Sequence, residues 1–186
     1  MPAMQSIILS KPDETKKEIS IHLGCGQKYL DGWVNVDKLT TVKTDKIVDL
    51  TVFPWPFEDN SADRLYSDNV FEHLPDQIKT MEECYRILRP GGVLECKVPF
   101  AMSSGALQDP THKAFWTDYT INYFIRGHQA NFYTPCGFDL VFCRLVSNSD
   151  TMRCRLRNLI PFRGVLKLML FGMYDLVHFQ VTKPKK

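Results

Sequence analysis

Residues 19–37 read Ile19-Ser20-Ile21-His22-Leu23-Gly24-Cys25-Gly26-Gln27-Lys28-Tyr29-Leu30-Asp31-Gly32-Trp33-Val34-Asn35-Val36-Asp37. A short apolar run passes straight into Gly-Cys-Gly, and a second apolar run ends on an aspartate. Glycine at 24 and 26 lets the chain turn sharply and lets a ligand approach the backbone. A carboxylate at the end of the next strand is placed to accept from both hydroxyls of a ribose. The pattern predicts a nucleotide-type cofactor site at the carboxyl ends of two parallel strands. Gly24, Cys25 and Gly26 form its turn, and Asp37 is its ribose ligand.

The spacing narrows the cofactor. Gly26 and Asp37 are eleven positions apart, whereas a dinucleotide-binding unit places its acidic residue about twenty residues after the glycines. The first helix is therefore very short, or replaced by a turn at Tyr29-Leu30-Asp31-Gly32. Tyrosine also stands at 29, where a Gly-x-Gly-x-x-Gly fingerprint needs its third glycine. A pyrophosphate would lose the helix N-terminus that receives it, which disfavours NAD.

Three ordered blocks carry a family resemblance. They are His22-Leu23-Gly24-Cys25-Gly26 with Val34-Asn35-Val36-Asp37; Pro54-Trp55-Pro56-Phe57-Glu58-Asp59-Asn60-Ser61-Ala62-Asp63 through Val70-Phe71-Glu72-His73-Leu74; and Leu88-Arg89-Pro90-Gly91-Gly92-Val93-Leu94. Over residues 19–147 the chain resembles the class I S-adenosylmethionine-dependent methyltransferases, of the small stand-alone type 11-like kind. The resemblance implies an α/β, Rossmann-like, doubly wound and mostly parallel sheet of seven strands, the last antiparallel beside the fifth. It also implies S-adenosylmethionine as cofactor and S-adenosylhomocysteine as product. The expected function is transfer of the methyl group to a small-molecule acceptor by in-line displacement. The alternative is a non-catalytic protein of the same fold that binds the cofactor or its product as a sensor or partner subunit.

The resemblance also assigns residues. Asp49 and Leu50 match the positions that meet the adenine; Phe53, Trp55 and Phe57 themselves read equally as aromatic surface beside it or as rings that pack their loop on the core. The turn holding Ser67 and Asn69 runs near the methionine end, where His22 stands in place of the family's usual acidic residue and Lys28 in place of a third glycine. Glu72 and His73 sit at the mouth. An Asp-Pro-x-His element makes Asp109 and His112 candidates for holding or deprotonating the acceptor, so His73 and His112 are the candidate bases. Each has a structural reading too: His22 as a strand-end side chain bonded to backbone, Asp49 as a turn cap, Glu72 and His73 as helix-start groups, and Asp109 and His112 as ties for their loop.

The remaining chain sets limits. With 186 residues, 44% hydrophobic and 24% charged, it suits one globular domain over 18–182, with a flexible arm at 1–17 and a solvated basic tail at 183–186. A formal charge of +2 argues against nucleic acid, since no basic stretch is interleaved with aromatics. Six cysteines lack any Cys-x-x-Cys pair or histidine at zinc-finger spacing, so reduced thiols, no metal and a cytoplasmic location are expected. No signal peptide is read at the start.

Lys46–Leu50, Asp63–Tyr66, Val93–Val98, Asp139–Val146 and Tyr174–Val181 read as further strands. A helix follows Pro75, with Ile78, Met81, Tyr85 and Leu88 on its apolar face. Asp118–Arg126 reads as a helix and Thr151–Arg157 as a strand or hairpin. The long loop 101–116 suits a functional role. Leu159–Phe171 is apolar but carries Arg163 and Lys167, so it is no membrane span. It suits an amphipathic helix packed on its own domain, in a homodimer interface or at a membrane surface.

Overall fold

The computed structural model describes residues 18–147, 152–167 and 170–185; the proposed arm 1–17, Thr151 and Lys186 lie outside them. Seven strands form one sheet: β1 Ser20–Leu23, β2 Val34–Asp37, β3 Lys46–Ile47, β4 Ala62–Asp68, β5 Leu88–Pro99, β6 Asp139–Val146 and β7 Leu176–Thr182. Their order is β3-β2-β1-β4-β5-β7-β6. β1 to β5 pair in parallel, and β7 runs antiparallel between β5 and β6. This is the seven-stranded arrangement the resemblance implied. The order reverses beside β1, and there the ends of β1 and β4 leave a crevice for a ligand.

No helix separates β1 from β2. Residues 24–33 are turns, and the buried amide of Asn35 fixes them: its Oδ1 accepts from Leu30 N at 2.9 Å, and its Nδ2 donates to Leu30 O and Trp33 O. The helix α1, Gln77–Ile87, starts at Asp76, whose carboxylate accepts from Lys79 N at 2.9 Å. It buries Met81, Cys84 and Ile87 against the sheet, with Ile78 and Tyr85 only partly covered. The apolar face is therefore rotated from the expected one. Leu94, Cys96 and Val98 meet it from β5, and Ile21, Leu23, Val36 and Leu65 continue the core.

Several expected boundaries change. β5 begins at Leu88 and runs through Pro90-Gly91-Gly92, with a register shift against β4 between Ala62 and Arg64. β3 is only two residues long. Residues 120–124 form a 3-10 turn, and Met152–Asn158 is a helix, α2, where an extended segment was expected. Among the described residues of the 159–171 stretch there is one four-residue helix, α3 Arg163–Leu166, following Pro161 and a positive φ at Phe162. Leu159 and Phe162 are about four-fifths exposed, at 78% and 81%, instead of lining one packed face.

Lys183 is not part of a solvated tail. Its ammonium donates to Tyr85 O, Leu88 O and Asn60 Oδ1 at 2.7–2.8 Å, satisfying carbonyls at the end of α1. Among the described residues no helix is long and apolar enough to cross a membrane.

Candidate functional site

The Gly-Cys-Gly turn is tied to the end of β2. Cys25 N donates to Val36 O, Gly26 N to Asp37 Oδ2 at 2.8 Å, and Leu39 N to Asp37 Oδ1 at 2.9 Å. The carboxylate is thus fixed by two amides with lone pairs left over, because each carboxylate oxygen offers about two. The glycines differ in their reasons. A Cβ on Gly24 (φ +63°) would lie 2.5 Å from Val70 Cγ2, whereas one on Gly26 (φ +49°) would meet no atom within 4 Å. Gly24 makes room for the protein, and Gly26 leaves a hollow at the surface.

That hollow belongs to a cleft of about 710 Å³ lined by Gly24, Gly26, Asp37, Asp49, Leu50, Asn69 and His73, with Val48, Val70 and Leu74 as apolar wall and Lys113 at its rim. A second cavity of about 690 Å³ lies near the amino ends of the strands, beside Ser20, Val34 and Lys46. Volume does not separate them. Open α/β sheets bind at the carboxyl ends, at the topological switch, and this selects the first. Asp49 Oδ1 accepts from both the amide and the hydroxyl of Thr51, which hold its carboxyl below the usual range.

The side chains of three expected cofactor residues do not line the cleft. His22 is 1% exposed, its ring lies 5.1 Å from that of Tyr66, and its Nδ1 is 3.3 Å from Asn35 Oδ1. Burial lowers its pKa, with the Asn35 bond opposing. The side chains of Cys25 and Ser67 are buried as well, leaving only their backbone to offer. Burial, then the nearby Asp37 carboxylate, raises the Cys25 thiol's pKa.

Sequence reasoning missed the group that stands beside His22. Lys28 Nζ donates to Asp68 Oδ2 at 2.8 Å and to Tyr66 Oη at 3.1 Å, and Tyr66 Oη donates to Asp68 Oδ2. A lysine in place of the third glycine is its sequence trace. Of the two readings of Trp55 the structure selects the core: it is 2% exposed, and its Nε1 donates to Leu50 O.

On the far side of the cleft the 3-10 turn Phe71–His73 meets the loop 101–116. Glu72 O accepts from Lys113 N and Ala114 N, pinning the two together. The His73 and His112 rings are 4.7 Å apart, edge to face. His112 Nε2 lies 3.9 Å from both Glu72 Oε1 and Asp109 Oδ2. Glu72 is 1% exposed, and neither carboxylate oxygen has a hydrogen-bond partner. Burial, with the Asp68 and Asp109 charges adding to it, raises its pKa to about 7. Burial and His112 lower that of His73. The structure thus brings the two candidate bases together, with His73 in the cleft wall and His112 behind it.

Known proteins agree with this geometry. Residues 29–96 match the methyltransferase domain family model. A Mycolicibacterium smegmatis protein described as a "probable S-adenosylmethionine-dependent methyltransferase" is 37% identical over 62 residues, 33% of this chain and 24% of that one. The matched stretch thus spans about a quarter of that relative. A chain from the complex between the Haloferax volcanii Trm112 methyltransferase activator and a methyltransferase superposes with a TM-score of 0.63 at 16% identity, covering 91% of this chain and 84% of that one. A SAM-dependent methyltransferase from Archaeoglobus fulgidus gives 0.61 at 18% identity, covering 89% and 86%. Residues 29–96 are thus similar to a methyltransferase domain, and most of the chain shares the fold of S-adenosylmethionine-dependent methyltransferases. The structural likenesses carry the fold; Val34–Asp37 and the blocks at 54–74 and 88–94 lie in the matched segment, and the Gly-Cys-Gly turn at 24–26 precedes it.

The cleft's own geometry fits S-adenosylmethionine. The hollow over Gly26 admits a ligand against the backbone, Asp37 keeps acceptor capacity at the end of β2, and Val48, Leu50 and Leu74 supply an apolar bed for a flat ring.

Proposed function

We propose that this chain transfers a methyl group from S-adenosylmethionine to a small-molecule acceptor. The observation that supports this best is the Asp37 carboxylate, held by Gly26 N and Leu39 N at the mouth of the cleft. In this reading Asp37 takes the ribose hydroxyls, Asp49 and the Leu50 amide take the adenine edge, and the backbone at Gly24, Ser67 and Asn69 runs along the methionine end. Lys28, Tyr66 and Asp68 form the polar cluster there, and the position of His22 behind them makes it a support rather than a ligand. The cofactor supplies an activated methyl on sulfur. The protein's task is orientation, which can contribute on the order of 7–11 kcal/mol to such reactions.

The acceptor side is the face bearing His73, His112 and Glu72, and a small molecule suits a cleft closed by one loop. The exposed Leu159, Phe162 and Val165 support the homodimer reading of the C-terminal segment, which light scattering on the purified protein would test. Calorimetric titration with S-adenosylmethionine and S-adenosylhomocysteine, followed by turnover against an acceptor panel, tests the proposal. Binding without turnover on any acceptor would support the sensor or partner-subunit reading instead, for which the Haloferax activator complex is the motivating neighbour. Absence of binding by folded protein would overturn both.

A further inference from the structure

We propose that Glu72, His73 and His112 bind one divalent transition-metal ion, of the zinc, cobalt or manganese kind, on the acceptor side of the cleft. One ligand atom from each of the three lies within 4.8 Å of the others. Metal bonds of about 2.0–2.2 Å at tetrahedral angles put ligand atoms roughly 3.3–3.6 Å apart, so side-chain rotations that draw the atoms together by up to roughly 1.5 Å close the set.

The hydrogen bonds around the histidines fix which nitrogens are free. Ala106 O can only accept, so His112 Nδ1, 2.9 Å away, carries the proton and leaves a lone pair on Nε2. Thr111 directs its single hydroxyl proton to Asp109 Oδ1 at 2.7 Å, so His73 Nδ1 at 3.0 Å donates to that hydroxyl. His73 Nε2 is then a lone pair as well. Metal-binding histidines are oriented in this manner, the outer nitrogen donating to a carbonyl or a hydrogen-bonded network while the inner one ligates.

The carboxylate supplies an independent observation. Glu72 is 1% exposed, yet both of its oxygens lack any hydrogen-bond partner. The 3.9 Å to His112 Nε2 is too long for a hydrogen bond. Burying a carboxyl with nothing to satisfy it is costly, and a cation among these three atoms would satisfy it. The ligands are also rigidly related, because Glu72 O holds Lys113 N and Ala114 N, the residues next to His112. Two imidazoles and one carboxylate select transition ions over magnesium or calcium, which prefer all-oxygen sets. Three protein ligands leave positions open, as in catalytic rather than closed structural sites, and an oxygen or nitrogen of the acceptor would occupy one. That use rests on the methyl-transfer reading; the ion site does not.

The test is titration of untagged, metal-stripped protein with Zn²⁺ alone, by calorimetry, and with Co²⁺ alone, by its absorption bands. One equivalent is expected, undisturbed by equimolar Mg²⁺. Glu72→Gln, His112→Gln and the half-buried His73→Gln should each weaken uptake at least about tenfold while circular dichroism reports an unchanged fold. If one of the buried variants does not fold, His73→Gln still decides. Asp37→Ala should lose cofactor affinity and keep ion uptake, so failure of the cofactor reading and failure of this one are separable. No uptake by wild type, or equal affinity in the variants that fold, overturns the site.

Discussion

Gly26 N donates to Asp37 Oδ2 at 2.8 Å, joining the turn after β1 to the end of β2 across eleven residues. One bond thus shapes the turn and aims the carboxylate. Asp37→Ala should weaken S-adenosylhomocysteine binding by roughly 1.5–3 kcal/mol for each charge-assisted bond lost, and Asp37→Asn by less. Titration calorimetry on folded variants measures this. Unchanged affinity in Asp37→Ala would remove the ribose role.

The two glycines of the turn should respond differently to alanine. At Gly24 the added methyl meets Val70 at 2.5 Å and φ is +63°. Backbone strain of about 1–3 kcal/mol and overpacking of about 1–3 kcal/mol should then add. At Gly26 only the positive φ contributes, since the space is open, but the methyl enters the cleft. Gly24→Ala should therefore lower the urea midpoint more, and Val70→Ala should partly rescue it. Gly26→Ala should show the larger loss of cofactor affinity relative to its loss of stability. Equal midpoints would mean that Val70 moves aside without cost.

The loop beyond Asp49 hangs on one ion pair. Glu83 Oε2 accepts from Trp55 N and Arg86 Nη2, both at 2.7 Å, and Arg86 also donates to Trp55 O, Phe57 O and Asp59. Glu83 is 9% exposed, so Glu83→Ala leaves the Trp55 amide without its acceptor and the partly exposed Arg86 with Asp59 and two carbonyls alone. Removing one partner of a buried pair costs about 3–5 kcal/mol; partial exposure of Arg86 puts the expected loss near the lower end. Equilibrium unfolding in urea would show it. Because Trp55 Nε1 holds Leu50 O, cofactor affinity should fall as well; a stability loss with untouched affinity would separate the loop from the cleft.

What could be read in advance follows the reach of each interaction. The Gly-Cys-Gly turn and Asp37 were legible because glycine and a strand-end carboxylate do their work within eleven residues. The strand order came only through the resemblance, since pairings such as β5 with β7 join residues 77–89 positions apart. Lys183 looked like a tail because nothing nearby shows that it satisfies carbonyls at Tyr85 and Leu88. Pro90-Gly91-Gly92 reads as a stop, yet Gly91 N donates to Lys183 O and Lys183 N to Gly92 O, so the strand continues through it. Trp55 was ambiguous for a simple reason: an aromatic between prolines suits a ligand platform or a core plug, and only the Leu50 and Glu83 contacts decide.

His178 on β7 gives a pH dependence with a definite sign. Arg144 lies 3.2 Å from its Nδ1 and can only donate, so that nitrogen holds the lone pair and Nε2–H donates to Glu95 Oε1 at 2.8 Å. Burial lowers its pKa from the ordinary 6.5; Glu95 opposes the shift, while Lys97 and Arg144 reinforce it. The folded state therefore prefers the neutral ring. Its contribution is complete above about 6.5 and is lost as the pH falls through that value toward the lowered folded-state pKa. His178→Gln can keep the bond to Glu95 and cannot titrate. Urea midpoints at about pH 7.5 and 5.5, either side of histidine's range, should fall further for wild type than for the variant. His22 and His73, whose pKa values are also lowered, add a loss common to both proteins, so the difference between them isolates His178. Parallel losses would mean that protonation of His178 is compensated by Glu95.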